Sequence, residues 1–200
     1  MTYSSVFMTE QLSLFSGANQ PDRLHFSRLP SMKMSAESIE QWKQRVYAFQ
    51  RQVKVGIPLQ QPSLFDLPPA PALLNSDSLD PFALRQQNIE FWRWKSADTG
   101  IAALYFVIDY QVPLLLYVGE TAKSGQRWKG EHDCKRYLDN YAQAHYQAGL
   151  STQLGTAFWL AAPTATRLRQ QLESALISKW RSPFNKENWE LWGTPFTGGK

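Results

Sequence analysis

The chain has 200 residues, 43% hydrophobic and 14% aromatic, enough to build one substantial core. Its formal charge of +4 permits a polyanionic partner without demanding one; residues 1–99 carry 10 basic against 9 acidic side chains and residues 100–200 carry 11 against 8, so the excess lies in the second half. A single cysteine, Cys134, excludes an intrachain disulfide, three scattered histidines exclude a Cys/His zinc framework, and no apolar run is long enough to span a bilayer. With no charged segment followed by an apolar stretch near Met1, a cytoplasmic protein away from the membrane is expected.

Residues 1–34 are polar, mixed in charge and without sustained period, the pattern of a flexible tail. Residues 36–53 predict a helix capped by Ser35, with Ile39, Trp42, Val46 and Phe49 recurring three and four apart. Gly56, Pro58, Pro62, Pro68, Pro69, Pro71 and Pro81 make residues 56–81 an extended linker or wrapped arm. Asp80 followed by Pro81 signals a second short helix reaching Lys95, with proline at its first position. Residues 102–110 and 114–119 read as strands rich in aromatic and aliphatic side chains, joined by a turn at Gln111, Val112 and Pro113. A long helix is expected over residues 126–147, with Cys134, Leu138, Tyr141 and His145 on one face, and residues 156–161 predict a third strand. Pro163 and Thr164 open a last helix whose core face is Leu168, Leu172, Ala175, Leu176 and the stem of Lys179, and Pro183 closes it. The order strand, strand, helix, strand, helix predicts an α+β fold over residues 99–200: a small, mostly antiparallel three-stranded sheet flanked by helices. A helical and Pro-rich extension or linker (35–98) and the tail (1–34) precede it.

The chemistry concentrates in residues 100–190. Tyr105 and Tyr117 sit in the predicted hairpin, Arg127 follows, and Glu173 lies on the last helix. A tyrosine, an arginine and a lone helical carboxylate are the groups needed to cut a phosphodiester with one bound metal ion. The segment 103–185 resembles the GIY-YIG endonuclease superfamily. Ala103-Leu104-Tyr105 stands where the family has Gly-Ile-Tyr, Tyr117-Val118-Gly119 where it has Tyr-Ile-Gly, and Arg127, His132, Glu173 and Asn185 follow in order. The resemblance implies a metal-dependent endonuclease that hydrolyses DNA phosphodiester bonds in repair or recombination, using Mg2+ or Mn2+ and no small-molecule cofactor.

Each residue has a matching chemical role. Glu173 is a hard oxygen ligand for Mg2+, which keeps most of its waters and needs only one or two carboxylates. Arg127 offers a planar fork to the scissile phosphate. Tyr105 is positioned to accept a proton from, or to orient, the attacking water, and Tyr117 to bond the phosphate or the other tyrosine. Gly119 lets the chain bend after the second strand, Lys123 reaches a flanking phosphate, and the resemblance makes Asn185 a brace of the site or an aid to placing the metal. Ordinary fates stand beside these roles: Tyr105 as a core residue, Lys123 as a solvated loop lysine, Arg127 paired with Glu131, Glu173 solvated beside Arg169, and Asn185 as a turn residue. Two features depart from the family pattern. Ala103 replaces its first glycine, and Glu131 occupies the position four after the arginine, so that on a continuous helix His132 points about 140° away from Arg127, beside Trp128.

Gln11-Leu12-Ser13-Leu14-Phe15 resembles the short peptide by which bacterial repair and replication proteins grip the sliding clamp of DNA polymerase. Gln11 would set the register by hydrogen bonding, with Leu12, Leu14 and Phe15 in the bound segment and the last two as apolar anchors. A looser copy, Gln61-Pro62-Ser63-Leu64-Phe65, reads as a packed linker. DNA and the clamp are therefore the expected partners, in a bacterial host. The alternative to a nuclease is a catalytically weak DNA-binding or clamp-associated module. A third reading, a scaffold built on Trp180, Trp189 and Trp192, competes with the usual fate of such tryptophans in a core.

Overall fold

Three of the four strands form on the aromatic and aliphatic runs of the second half of the chain. The computed structural model describes residues 34–56, 76–88, 101–122 and 133–198. Among these, Gln86–Asn88 (β1), Ala103–Asp109 (β2), Leu114–Thr121 (β3) and Leu154–Trp159 (β4) form one antiparallel sheet in the order β1-β4-β2-β3. The helices are Ala36–Gln50 (α1), Asp133–Gln147 (α2), Thr166–Trp180 (α3) and the short Trp189–Trp192 (α4). Every residue of β2 is buried, as suits a central strand covered on both faces, and only Asp109 at its end is charged.

The α+β class agrees with the sequence, but the sheet has four strands where three were expected. The extra one lies inside the helix predicted from Pro81 to Lys95. Asp80 does cap a turn, its carboxylate accepting from the Phe82 N–H at 2.9 Å, yet the turn is a 3-10 helix confined to Pro81–Ala83. Gln86, Gln87 and Asn88 then pair with Ala157, Thr156 and Gly155. Three polar residues carry no strand signal of their own, and β4 recruits them as a short edge. Gly155 allows the approach: a Cβ there would lie 2.8 Å from the Tyr110 ring and 3.1 Å from the Gln87 carbonyl.

One face of the sheet is covered by α1, α2 and the C-terminal segment, which bury Ile39, Trp42, Val46, Tyr137, Tyr141, Phe184 and Phe196 against Tyr105, Val107, Leu114 and Leu116. The other face is covered by α3, whose Leu172, Leu176, Ile177 and Trp180 meet Leu104, Phe106, Ile108, Leu115 and Val118. Helix α1, although it belongs to the N-terminal extension, therefore contributes to the same core as the sheet. All described residues belong to one compact unit, within Ser31–Lys200, and no helix among them is long and apolar enough to cross a membrane.

Two helix faces differ from the predicted ones. Phe49 is 38% exposed and stacks edge-on against Trp192, while Gln50 is buried. At 100° per residue Gln50 lies about 20° from the direction of Ile39, and Phe49 about 80° away. In α3, Leu168 is 55% exposed and Arg169 takes the buried position, because it falls within about 20° of both Leu176 and Trp180. Trp180 and Trp192 are buried, as core tryptophans.

A polar network ties α1 and α2 to the hairpin. The Asp109 carboxylate, wholly buried, accepts from Lys43 Nζ at 2.9 Å, Tyr141 Oη at 2.8 Å, and the N–H groups of Gln111 and Gln153 at 3.0 Å each. Four donors offset the loss of water around this charge. One helical turn on, the His145 ring donates from Nδ1 to the Tyr141 carbonyl at 2.8 Å, and its buried Nε2 has no partner among the described residues.

Burial lowers the His145 pKa from its ordinary 6.5 and, with nearby Lys43 acting the same way, outweighs the bond to the Tyr141 carbonyl and the charge of Asp109, which push it up. The unfolded chain then takes up this proton first as pH falls, so stability is complete above about pH 6.5 and declines below it. The urea midpoint should accordingly drop between pH 7.5 and 5.5, and His145→Phe should flatten that drop. An identical slope in the variant would show that His145 is not the group responsible.

Candidate active site along strand β3

A register shift builds the tyrosine pair. Val107 opposes Tyr117 while Ile108 opposes Leu115, so Leu116 is an extra residue on β3. The bulge places Leu116 and Tyr117 on the same face, the one that carries Tyr105, whereas Leu115 and Val118 point to the other. Without it, the two-residue period would put Tyr117 with Leu115, away from Tyr105. The Tyr105 and Tyr117 rings lie 5.9 Å apart with planes 30° from parallel; Tyr105 is wholly buried and Tyr117 half-buried.

Gly119 stands directly across from Tyr105. A Cβ at Gly119 would fall on Cζ and the hydroxyl of Tyr105 and 2.6 Å from Cε1. The strand runs on to Thr121, so the chain does not bend at this glycine, contrary to the role expected for it. Its function is to leave room for a ring.

Strand β3 ends the sheet, and its outward peptide groups are bonded one after another. The Gln50 amide accepts from the Leu115 N–H at 2.8 Å and donates to the Leu115 carbonyl at 2.9 Å. The Phe184 N–H donates to the Leu116 carbonyl at 2.8 Å. Asn185 repeats the double contact at Val118, accepting from its N–H and donating to its carbonyl, both at 2.9 Å, while Ser182 Oγ donates to Asn185 Oδ1 at 2.6 Å. Glu173 Oε1 accepts from the Glu120 N–H at 3.0 Å. A side-chain amide thus takes the place of a neighbouring strand at two positions, and a carboxylate does so at a third.

These bonds decide how the predicted residues stand. Tyr105, Tyr117, Gly119, Glu173 and Asn185 converge on one stretch of β3 although they are spread over 81 positions of sequence. Asn185 is buried with its amide engaged by Val118, an arrangement that braces the strand. Glu173 is half-buried, and one oxygen of its carboxylate is held by the Glu120 N–H. Lys123, Arg127 and His132, with the clamp-like residues Gln11, Leu12, Leu14 and Phe15 and the copy at 61–65, lie outside the described residues.

Two contributors were not legible beforehand. Arg169 does not pair with Glu173 one turn along the helix, as the spacing suggests; it is 1% exposed and bonds Glu120 Oε2 from Nε at 2.6 Å. Its Nη1 donates to the carbonyls of Pro163 and Thr164 at 2.9 and 3.0 Å. Glu120 is therefore gripped by α3 at both its main chain and its side chain. The only signal in the sequence was a charged residue on the apolar stripe of α3, which reads as a helix-surface ion pair when the strand is not in view.

Among the described residues no three His, Cys, Asp or Glu side chains cluster as a metal cage. The donor that is present, the amide-fixed carboxylate of Glu173, matches the small requirement of Mg2+ or Mn2+ for one or two hard oxygens. No protein-family model matches the chain, and no curated protein or solved structure matches it either.

Gly119→Ala should destabilise by about 1–3 kcal/mol through overpacking against Tyr105. In a Tyr105→Ala background, urea titration should find the same change near neutral; an equal penalty in both would put the clash elsewhere. Asn185→Ala should cost about 2–4 kcal/mol, since it leaves the buried N–H and carbonyl of Val118 without partners. A loss below about 1 kcal/mol would mean that water replaces the amide.

Proposed function

We propose that the protein is a metal-dependent endonuclease of the GIY-YIG type, acting on DNA in repair or recombination and recruited by the sliding clamp through Gln11, Leu12, Leu14 and Phe15. The observation that carries this reading is the meeting of Tyr105, Tyr117, Gly119, Glu173 and Asn185 on β3, since residues so far apart in sequence have no local reason to share one strand. Mg2+ or Mn2+ held by Glu173 would supply charge neutralisation at the phosphoryl oxygens and a more acidic bound water.

The remaining work falls to the chain. The Glu120 N–H fixes one oxygen of Glu173, which keeps the carboxylate in a single orientation. Arg127 bridges two oxygens of the scissile phosphate, a contact that strengthens as charge gathers there. Tyr117, half-buried and ring-stacked on Tyr105, bonds the phosphate or the attacking water. Tyr105 supports it from within the core, and Lys123 meets a flanking phosphate. Asn185 acts by holding Val118 in place. His132 stands in the family's order as a further proton-transfer group.

Complete burial of Tyr105 favours a second reading, a DNA-binding or clamp-associated module without effective catalysis. One experiment separates the two. Labelled linear, nicked, branched and flapped DNA is incubated with the protein, with and without Mg2+ or Mn2+. The nuclease reading expects cutting that requires the metal and disappears in Glu173→Ala, while Arg127→Ala lowers kcat by about 100-fold or more with only a modest loss of DNA affinity. DNA binding without cutting of any substrate would select the module instead.

A further inference from the structure

Arg169 lies on the buried stripe of α3, in line with Leu176 and Trp180, at a position that helical periodicity assigns to an apolar side chain. Burying a guanidinium is expensive, and well-packed hydrophobic residues replace buried ion pairs with little or no loss of stability. Stability alone thus gives no reason for an arginine here, and its contacts suggest another.

Arg169 and Glu173 are one helical turn apart, and both act on a single residue of β3. Arg169 Nε holds the Glu120 carboxylate at 2.6 Å, and the Glu120 N–H holds Glu173 Oε1 at 3.0 Å. The guanidinium is itself anchored by the carbonyls of Pro163 and Thr164 ahead of the helix, so it cannot swing with its partner. Arg169 also offsets the charge of Glu120, a carboxylate one strand residue beyond Gly119 that would otherwise compete with Glu173 for a cation.

From this geometry we infer that Arg169 is a positioning residue for Glu173, acting through Glu120: it fixes the end of β3 so that the Glu120 N–H presents the Glu173 carboxylate in one orientation. The functional half of this inference rests on the nuclease reading; the structural half does not. The arrangement is the protein counterpart of the outer partners that orient metal ligands, whose removal commonly weakens metal affinity or activity by about 10–100-fold.

The test uses the full chain carrying Glu120→Gln with Arg169→Met, a pair that leaves no buried charge uncompensated. Four readouts are compared with those of the unsubstituted protein: urea stability, hydrogen exchange of the residue-120 amide, binding of Mn2+ alone, and cleavage kinetics. Glu173→Ala provides the exchange rate of that amide without its acceptor. The expected result is stability close to the original, amide exchange accelerated toward the Glu173→Ala value, Mn2+ binding weakened about 10-fold or more, and kcat reduced with KM within about twofold.

Unchanged exchange and Mn2+ binding, whatever happens to stability, would overturn the inference and make Arg169 a packing residue. Should the double variant not fold, Arg169→Lys keeps the charge but loses the fork. Faster exchange of the Glu120 amide then supports the inference, and unchanged exchange overturns it. If the unsubstituted protein neither binds Mn2+ nor cuts DNA, the nuclease reading fails by itself, and amide exchange still decides whether Arg169 positions Glu173.

Discussion

The outward edge of β3 has to be satisfied without another strand, and much of the molecule is arranged around that requirement. A buried peptide group left unbonded costs about 1–3 kcal/mol, and β3 presents a row of them. Gln50 from α1, Phe184 and Asn185 from the C-terminal segment, and Glu173 from α3 each take part of the row. Elements from both faces of the sheet and from both ends of the described chain are thereby fastened to the same strand. The edge is closed to intermolecular pairing by the same contacts.

The opposite fastening is electrostatic. Asp109 at the end of β2 gathers Lys43, Tyr141 and two main-chain N–H groups, joining α1, α2, the hairpin turn and the segment ahead of β4 in one buried network. Because each charge must first be taken out of water, much of what the network's bonds contribute is offset by that cost. Tyr141 illustrates the constraint: burial and the neighbouring Asp109 raise its hydroxyl pKa well above 10, so it remains a donor to the carboxylate. Around these polar bonds Trp42, Tyr141, Phe184 and Phe196 pack edge to face, with centroids 4.9 to 6.3 Å apart.

The proposed chemistry grows out of the same edge. Glu173 would bind a metal through a carboxylate that also caps Glu120, and Asn185 steadies the strand by replacing a missing neighbour at Val118. Tyr105 is held by a glycine that makes space for it, and Tyr117 is turned toward it by a bulge. The contact that closes the end of the β3 edge is thus the same one that holds the Glu173 carboxylate.

Residue type and period alone determined a good deal. The aromatic and aliphatic run at residues 103–108 dictated a strand, Ser35 and the spacing of Ile39, Trp42 and Val46 dictated α1, and Cys134, Leu138, Tyr141 and His145 marked the inner face of α2. These features are local, since each depends on neighbours within a turn or two of chain. Tertiary structure decided the rest. Polar Gln86–Asn88 became a strand because β4 offered an unpaired edge, Gly119 was required by a ring across the sheet, and Tyr117 faces Tyr105 only because of an inserted residue. Arg169 found its partner in Glu120 on β3 instead of Glu173 on its own helix. Periodicity reports which side of an element faces inward, whereas the group that a buried polar side chain meets there depends on how separate elements align, and that alignment is set by the packing of the whole core.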